Sequence, residues 1–320
     1  MDTHELQLAI DELHGRWKGA TTGEVATYIP ELGTADPETF GIALATTSGR
    51  LFEIGDSEIP FTIQSISKPF TYGMALEVHG AAKVGRHVGV EPSGDAFNAI
   101  ELQNGSNRPH NPMINSGAIT ITALLHEKYG DETFEIILDR FSAAAGRPLS
   151  MDRAVYESEH RTGHRNRAIA HLLLNFGMVH SAAEQALDVY FRQCSILVTC
   201  RDLAMMGATL ANMGGHPQTR GQAYELATVK SMMAIMFTCG MYDYSGEWAY
   251  RVGVPAKSGV SGGVMAVVNR QLGIATYSPR LDPRGNSHRG IEVCAELASS
   301  FGLHAFDCLN MGSSFLDTLL

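Results

Sequence analysis

The sequence predicts an α+β fold: an antiparallel sheet built from N- and C-terminal segments, with helices on it and a helical region inserted between its two halves. Three observations lead there. Hairpin patterns begin near residues 41 and 264, the intervening stretch takes a helical period, and the regular βαβ alternation of a parallel doubly wound sheet is absent. The 320 residues are expected to form one unit, with sheet regions near 20–70 and 240–305 and a helical region near 71–239.

Each element has its own signal. Gly41-Ile42-Ala43-Leu44-Ala45-Thr46 and Arg50-Leu51-Phe52-Glu53-Ile54-Gly55 flank Thr47-Ser48-Gly49, as two strands joined by a turn. A helical run over 71–78 follows the loop that contains Pro60, and the apolar face over 133–145 stops at Gly146. Ser181-Ala182-Ala183-Glu184 and Thr199-Cys200-Arg201-Asp202 both read as capping boxes, with Gly214-Gly215 closing the second helix. A helix is expected over 228–237, a hairpin over 264–277 around Asn269-Arg270-Gln271, and a last helix over 289–300. The glycine-rich Gly259-Val260-Ser261-Gly262-Gly263 precedes a strand and matches neither dinucleotide-binding nor P-loop spacing, so its glycines serve close backbone approach.

With 24 basic and 34 acidic side chains the formal charge is −10, which disfavours nucleic acid and anionic membranes as partners. No apolar run approaches the roughly 20 residues that span a bilayer. The acidic opening Met1-Asp2-Thr3-His4-Glu5 does not read as a secretory signal, and the chain is expected in the cytoplasm. Cys194, Cys200, Cys239, Cys294 and Cys308 are an odd set without a C-x-x-C pair, the usage of buried reduced thiols. His160 and His164 are four apart but lack the H-E-x-x-H order and a third ligand, so no metal is expected. Met232-Met233-Ala234-Ile235-Met236 reads as core filling.

Chemistry concentrates in Gln64-Ser65-Ile66-Ser67-Lys68-Pro69. Ser65 is placed at a helix start, with Lys68 three residues on and on the same face. A serine hydroxyl needs a base to become nucleophilic, and a lysine whose pKa is depressed by burial can be that base. Alone, S-x-x-K reads more readily as a helix-capping Ser65 beside a solvated Lys68. A second element, Lys257-Ser258-Gly259, precedes the C-terminal hairpin. S-x-x-K followed by K-T-G occurs in β-lactamases and penicillin-binding proteins, although their middle S-D-N is not matched by Asn115-Ser116-Gly117.

Five ordered motifs resolve the alternatives: Gln64-Ser65-Ile66-Ser67-Lys68, Pro112-Met113-Ile114-Asn115-Ser116-Gly117, Gly163-His164-Arg165-Asn166, Tyr190-Phe191-Arg192-Gln193-Cys194-Ser195, and Lys257 through Gly263. Together, from about Tyr28 to Gly290, they resemble the bacterial glutaminase family, which has a serine β-lactamase-like fold. Pro69 stands where an aliphatic residue is usual in that family. The resemblance implies hydrolysis of L-glutamine to L-glutamate and ammonia, without a cofactor, by an enzyme that assembles as a homodimer or homotetramer. It further implies Ser65 as nucleophile and Lys68 as its base; the leaving ammonia must be protonated, and Tyr242 is the candidate relay. Substrate contacts are implied at Tyr28, Gln64, Ser65, Asn115, Glu159, Asn166, Tyr190, Tyr242 and the Val260 backbone. From local sequence alone, Glu159 beside Arg161 and Arg165 is equally a surface carboxylate, and Tyr190 and Tyr242 read more readily as core aromatics. Another serine amidase or β-lactam hydrolase, and a non-catalytic ligand-binding relative, are the competing functions.

Overall fold

The computed structural model of the chain describes residues 3–94, 100–180 and 183–307. Its strands are β1 (Gly41–Thr46), β2 (Leu51–Gly55), β3 (Phe61–Thr62), β4 (Ser150–Met151), β5 (Ile196–Val198), β6 (Ala256–Ser258), β7 (Gly263–Val268) and β8 (Leu272–Tyr277). The helices are α1 (Thr3–Trp17), α2 (Lys68–His87), α3 (Asn115–Tyr129), α4 (Thr133–Ala145), α5 (Arg153–Thr162), α6 (His164–Asn175), α7 (Ala183–Cys194), α8 (Cys200–Ala211), α9 (Leu226–Cys239), α10 (Ser245–Arg251) and α11 (His288–Phe301).

The main sheet has the order β2-β1-β8-β7-β6, antiparallel throughout, so the two predicted hairpins meet where β1 pairs with β8. Leu44 lies opposite both Phe52 and Ile274, which fixes the register at the join. Because side chains alternate across a strand, Ile42, Leu44, Val264 and Ala266 face one core, and Ala43, Ala45, Met265 and Val267 face another. Leu6, Ile10 and Leu13 of α1 join Ile291, Cys294 and Leu297 of α11 over the first face. Leu203, Ala204 and Met206 of α8, with residues of α2, α3, α4 and α9, fill the second. Both faces are covered, which is why β7 and β8 read as almost unbroken apolar runs rather than alternating ones.

The inserted region departs from purely helical. Within it, β4 and β5 join β3 in a second sheet of order β3-β5-β4, so the 61–62 strand belongs to this small sheet and not to the main one. Two-residue strands carry too little periodicity to be legible in sequence. The 133–145 helix has the expected bounds and ends at a left-handed Gly146. The Thr199 capping box is present, with Thr199 and Asp202 exchanging hydrogen bonds, but α8 ends at Ala211 with Asn212 as its cap, ahead of Gly214-Gly215. The other proposed capping box begins at Ser181 and Ala182, outside the described residues. The helix expected over 71–78 begins earlier and runs from Lys68 to His87, with non-helical geometry at Gly80. Among the described residues no helix is long and apolar enough to cross a membrane.

Candidate active site

Ser65 does not begin α2 itself. It sits in a 3-10 turn, Gln64–Ser67, that leads into the helix at Lys68. The turn is braced from below by the fully buried Gln193 of α7, whose Nε2 donates to Ser67 Oγ at 3.0 Å, while Ser67 Oγ donates to the Gln64 carbonyl at 2.7 Å. Gln64 has φ +48°, a left-handed conformation that non-glycine residues avoid. Tyr242, across the site, has φ +56°. Strain of this kind costs about 1–3 kcal/mol per residue and persists where the surroundings over-determine it. Two such residues flank the serine.

Pro69 occupies the first turn of α2, where no intrahelical acceptor is lost. The same start places the Lys68 side chain in the interior at 1% exposure. Its Nζ donates to Asn115 Oδ1 at 2.8 Å and to the Met113 carbonyl at 3.2 Å. Burial brings its pKa down from 10.5 to about 8, against a smaller opposing pull from Cys194 and Glu159. Two acceptors consume both N–H groups of a neutral amine, leaving its lone pair for a proton.

Asn115, at the start of α3, is the hub. Its Oδ1 also accepts from Tyr190 of α7 at 3.4 Å, and its Nδ2 donates to Asn166 Oδ1 at 3.0 Å. Glu159 lies on the last turn of α5 and Asn166 on the first turn of α6, with Gly163 between the helices. A Cβ on Gly163 would stand 2.5 Å from the Phe191 ring, so its absence lets this corner close against the helix that carries Tyr190. Glu159 is therefore no surface carboxylate. It is 5% exposed, its Oε2 has no partner among the described residues, and burial raises its pKa to about 8.

Tyr28, Gln64, Ser65, Asn115, Glu159, Asn166 and Tyr190 line one cavity of about 360 Å³. Tyr28 stands at its rim with its hydroxyl donating to Gln64 Oε1 at 3.5 Å. Thr162 and Arg165 complete the mouth. Neither is among the residues that the resemblance implies, although both neighbour expected site residues on the α5–α6 corner.

Tyr242 and Val260 do not line that cavity; they pack with Ile29, which does, and Tyr242 also borders a neighbouring cavity with Met113 and Cys239. The Tyr242 phenol donates to the Ser258 carbonyl at 3.2 Å and is hydrogen-bonded by Ser65, and burial pushes its pKa up to about 12. It is thus a neutral O–H donor at physiological pH. A Cβ on Gly259 would lie 3.0 Å from the Ile63 carbonyl, so glycine lets the 259–263 loop approach the Ser65 turn. The Val260 N–H that this brings in has no acceptor among the described residues.

Lys257 belongs to the Lys257-Ser258-Gly259 motif, from which no role for its side chain follows. It is fully buried, its Nζ lies 4.1 Å from the Tyr242 ring centroid, and it donates to the Gly240 and Ser258 carbonyls at 2.8 Å each. Burial and the nearby Lys68 depress its pKa strongly. Cys194 is a buried free thiol beside Tyr190, and burial raises its pKa, which suppresses the thiolate. Cys200, Cys239 and Cys294 are buried and free as well; Cys308 lies outside the described residues.

The antiparallel sheet built from both chain ends, with helices on both faces and an inserted helical region, is the serine β-lactamase-like architecture. A family model described as Glutaminase matches residues 23–306. A glutaminase of Nostoc sp. is 51% identical over 304 residues, covering 95% of this chain and 91% of the relative. A solved structure described as probable glutaminase ybaS aligns with TM-score 0.93 at 38% identity, covering 96% of this chain and 99% of the other. A structure described as Mglu in its glutamate form aligns with TM-score 0.89 at 45% identity, covering 92% of this chain and 68% of the other. The chain belongs to the glutaminase family.

Proposed function

We propose that the protein hydrolyses L-glutamine to L-glutamate and ammonia through a γ-glutamyl ester on Ser65. The single observation that carries this reading is the arrangement of a buried, unpaired Glu159 carboxylate oxygen and the Ser65 hydroxyl in one cavity lined by amides and phenols. Free glutamine is a zwitterion with a neutral side-chain amide. Glu159 takes the α-ammonium, and the resulting ion pair offsets the desolvation that now holds the carboxyl protonated. Asn166, Tyr190 and Tyr28 supply amide and phenol groups for the α-carboxylate, with Arg165 at the mouth. Gln64 and Asn115 hold the amide end beside the serine.

In the first half-reaction Ser65 Oγ bonds to the substrate amide carbon as its hydroxyl proton moves to the Lys68 amine. The carbonyl π pair moves to oxygen, and this oxyanion is held by the Val260 and Ser65 N–H groups, each worth about 10²–10³ in rate. As the C–N bond breaks, the leaving nitrogen takes the Tyr242 proton, and the Lys68 ammonium restores it. Water then adds to the ester with Lys68 again as base, and Ser65 leaves with its proton as glutamate forms. The glutamate form of the solved Mglu relative supports a pocket of this type for the product.

Ammonia release from L-glutamine, compared with opening of a chromogenic β-lactam, tests the assignment. Turnover of glutamine that collapses in Ser65→Ala is expected. Turnover of the β-lactam alone would move the protein to another chemistry on the same fold, and no turnover of either would favour a ligand-binding role.

A further inference from the structure

Asn286 lies in the loop between β8 and α11, 44 residues beyond Tyr242 in sequence, and is fully buried. Its amide joins two segments of the site. Oδ1 accepts from Ser258 Oγ at 2.6 Å, and Nδ2 donates to the Met241 carbonyl at 3.4 Å. The loop that presents it is locked. Asp282 Oδ1 accepts from the Asn286 and Arg284 N–H groups at 2.8 and 2.9 Å, and the Asp282 N–H donates to the Asn286 carbonyl at 2.8 Å.

The two atoms that Asn286 ties together both govern Tyr242. Met241 is its backbone predecessor and caps the 3-10 turn Tyr242–Tyr244 that the left-handed residue opens, a turn that Ser245 also braces by donating to the Tyr242 carbonyl. Ser258 provides the carbonyl that receives the phenol. One buried amide therefore fixes the strained backbone of Tyr242 at one end and the acceptor of its hydroxyl at the other. A tyrosine in an unfavourable φ region relaxes unless both ends are held.

We propose that Asn286 is a positioning residue which, through Met241 and Ser258, sets the Tyr242 phenol against Ser65 for proton delivery to the leaving nitrogen. The inference rests on the reading of Tyr242 as that proton donor. Displacing a reacting group by about 1 Å costs on the order of a hundredfold in rate. Asn286→Ala and Ser258→Ala, which cut the same bond from its two ends, are therefore expected to lower kcat by about tenfold to a hundredfold with KM within about twofold.

The deciding experiment adds Tyr242→Phe. With no phenol to position, Asn286→Ala and Ser258→Ala are expected to leave the kcat of Tyr242→Phe unchanged, a coupling that a merely structural role would not produce. Ser258→Ala, which keeps the backbone carbonyl, serves where Asn286→Ala does not fold. If Tyr242→Phe is slow but the other two changes leave kcat at wild type, or multiply the Tyr242→Phe loss, the role of Asn286 is overturned and that of Tyr242 stands. If Tyr242→Phe keeps wild-type kcat, the reading of Tyr242 itself falls, and this inference with it.

Discussion

Lys68 and Glu159 are buried in one site and each is drawn toward its neutral form, with pKa values near 8. The proposed mechanism needs both deprotonated: the amine to take the serine proton and the carboxylate to pair the α-ammonium. The kcat/KM of the enzyme should accordingly rise with pH through about 8, and Lys68→Ala should lower kcat by about 10²–10⁴ with a smaller change in KM. A pH–rate profile on both proteins checks this; a pure KM effect would assign Lys68 to binding. Glu159 has a second consequence, for stability. Between 4.5 and about 8 the folded protein retains a proton there that the unfolded chain has released, so stability falls as pH rises across that window. Glu159→Gln removes that slope. Urea unfolding at about pH 5 and about pH 8.5 should show the variant gaining, relative to wild type, on the order of a few kcal/mol at the higher pH. Parallel pH dependence in the two proteins would mean that Glu159 is not held protonated by burial.

The elements around the serine show what a single sequence can and cannot reveal. The Thr199 capping box, the stop at Gly146 and the two hairpins were legible because local hydrogen bonding and turn chemistry lie within a few residues. The 3-10 turn at Ser65 was not. Its geometry comes from Gln193, 126 residues away from Ser67, and from a glycine-permitted approach of the 259–263 loop. The family resemblance supplied the expected site residues, and the fold gathers Tyr28, Gln64, Asn115, Glu159, Asn166 and Tyr190 around Ser65. Lys257 and Asn286 went unassigned because no spacing rule links them to Tyr242; only the pairing of β6 with β7 and the locked loop at Asp282 bring them there. The loop's approach gives a direct test. In Gly259→Ala the new Cβ would stand 3.0 Å from the Ile63 carbonyl, so that the loop and the serine turn must part by a few tenths of an ångström. A loss of kcat of about 10²–10³, matching one oxyanion donor, is expected with the fold retained by circular dichroism. Wild-type kcat in that variant would remove the Val260 N–H from the chemistry.

At the scale of the whole molecule, the site depends on the two chain ends meeting. β1 pairs with β8, and α1 packs with α11 over the face that carries Trp248. The second core runs without a break from main-sheet residues such as Ala43 and Met265 into Phe70, Phe141 and Met232 of the inserted helices. The chain should therefore unfold as one unit. Calorimetry is expected to give a single transition with van't Hoff and calorimetric enthalpies equal, and two resolved transitions would separate the sheet region from the helical one. The formal charge of −10 offers no steering toward a zwitterion, which carries no net charge. What most directly tests the account is where an electrophilic glutamine analogue attaches. Intact-mass and peptide mapping should find one adduct per chain, on Ser65, and none in Ser65→Ala; an adduct on Cys194 instead would contradict the serine mechanism.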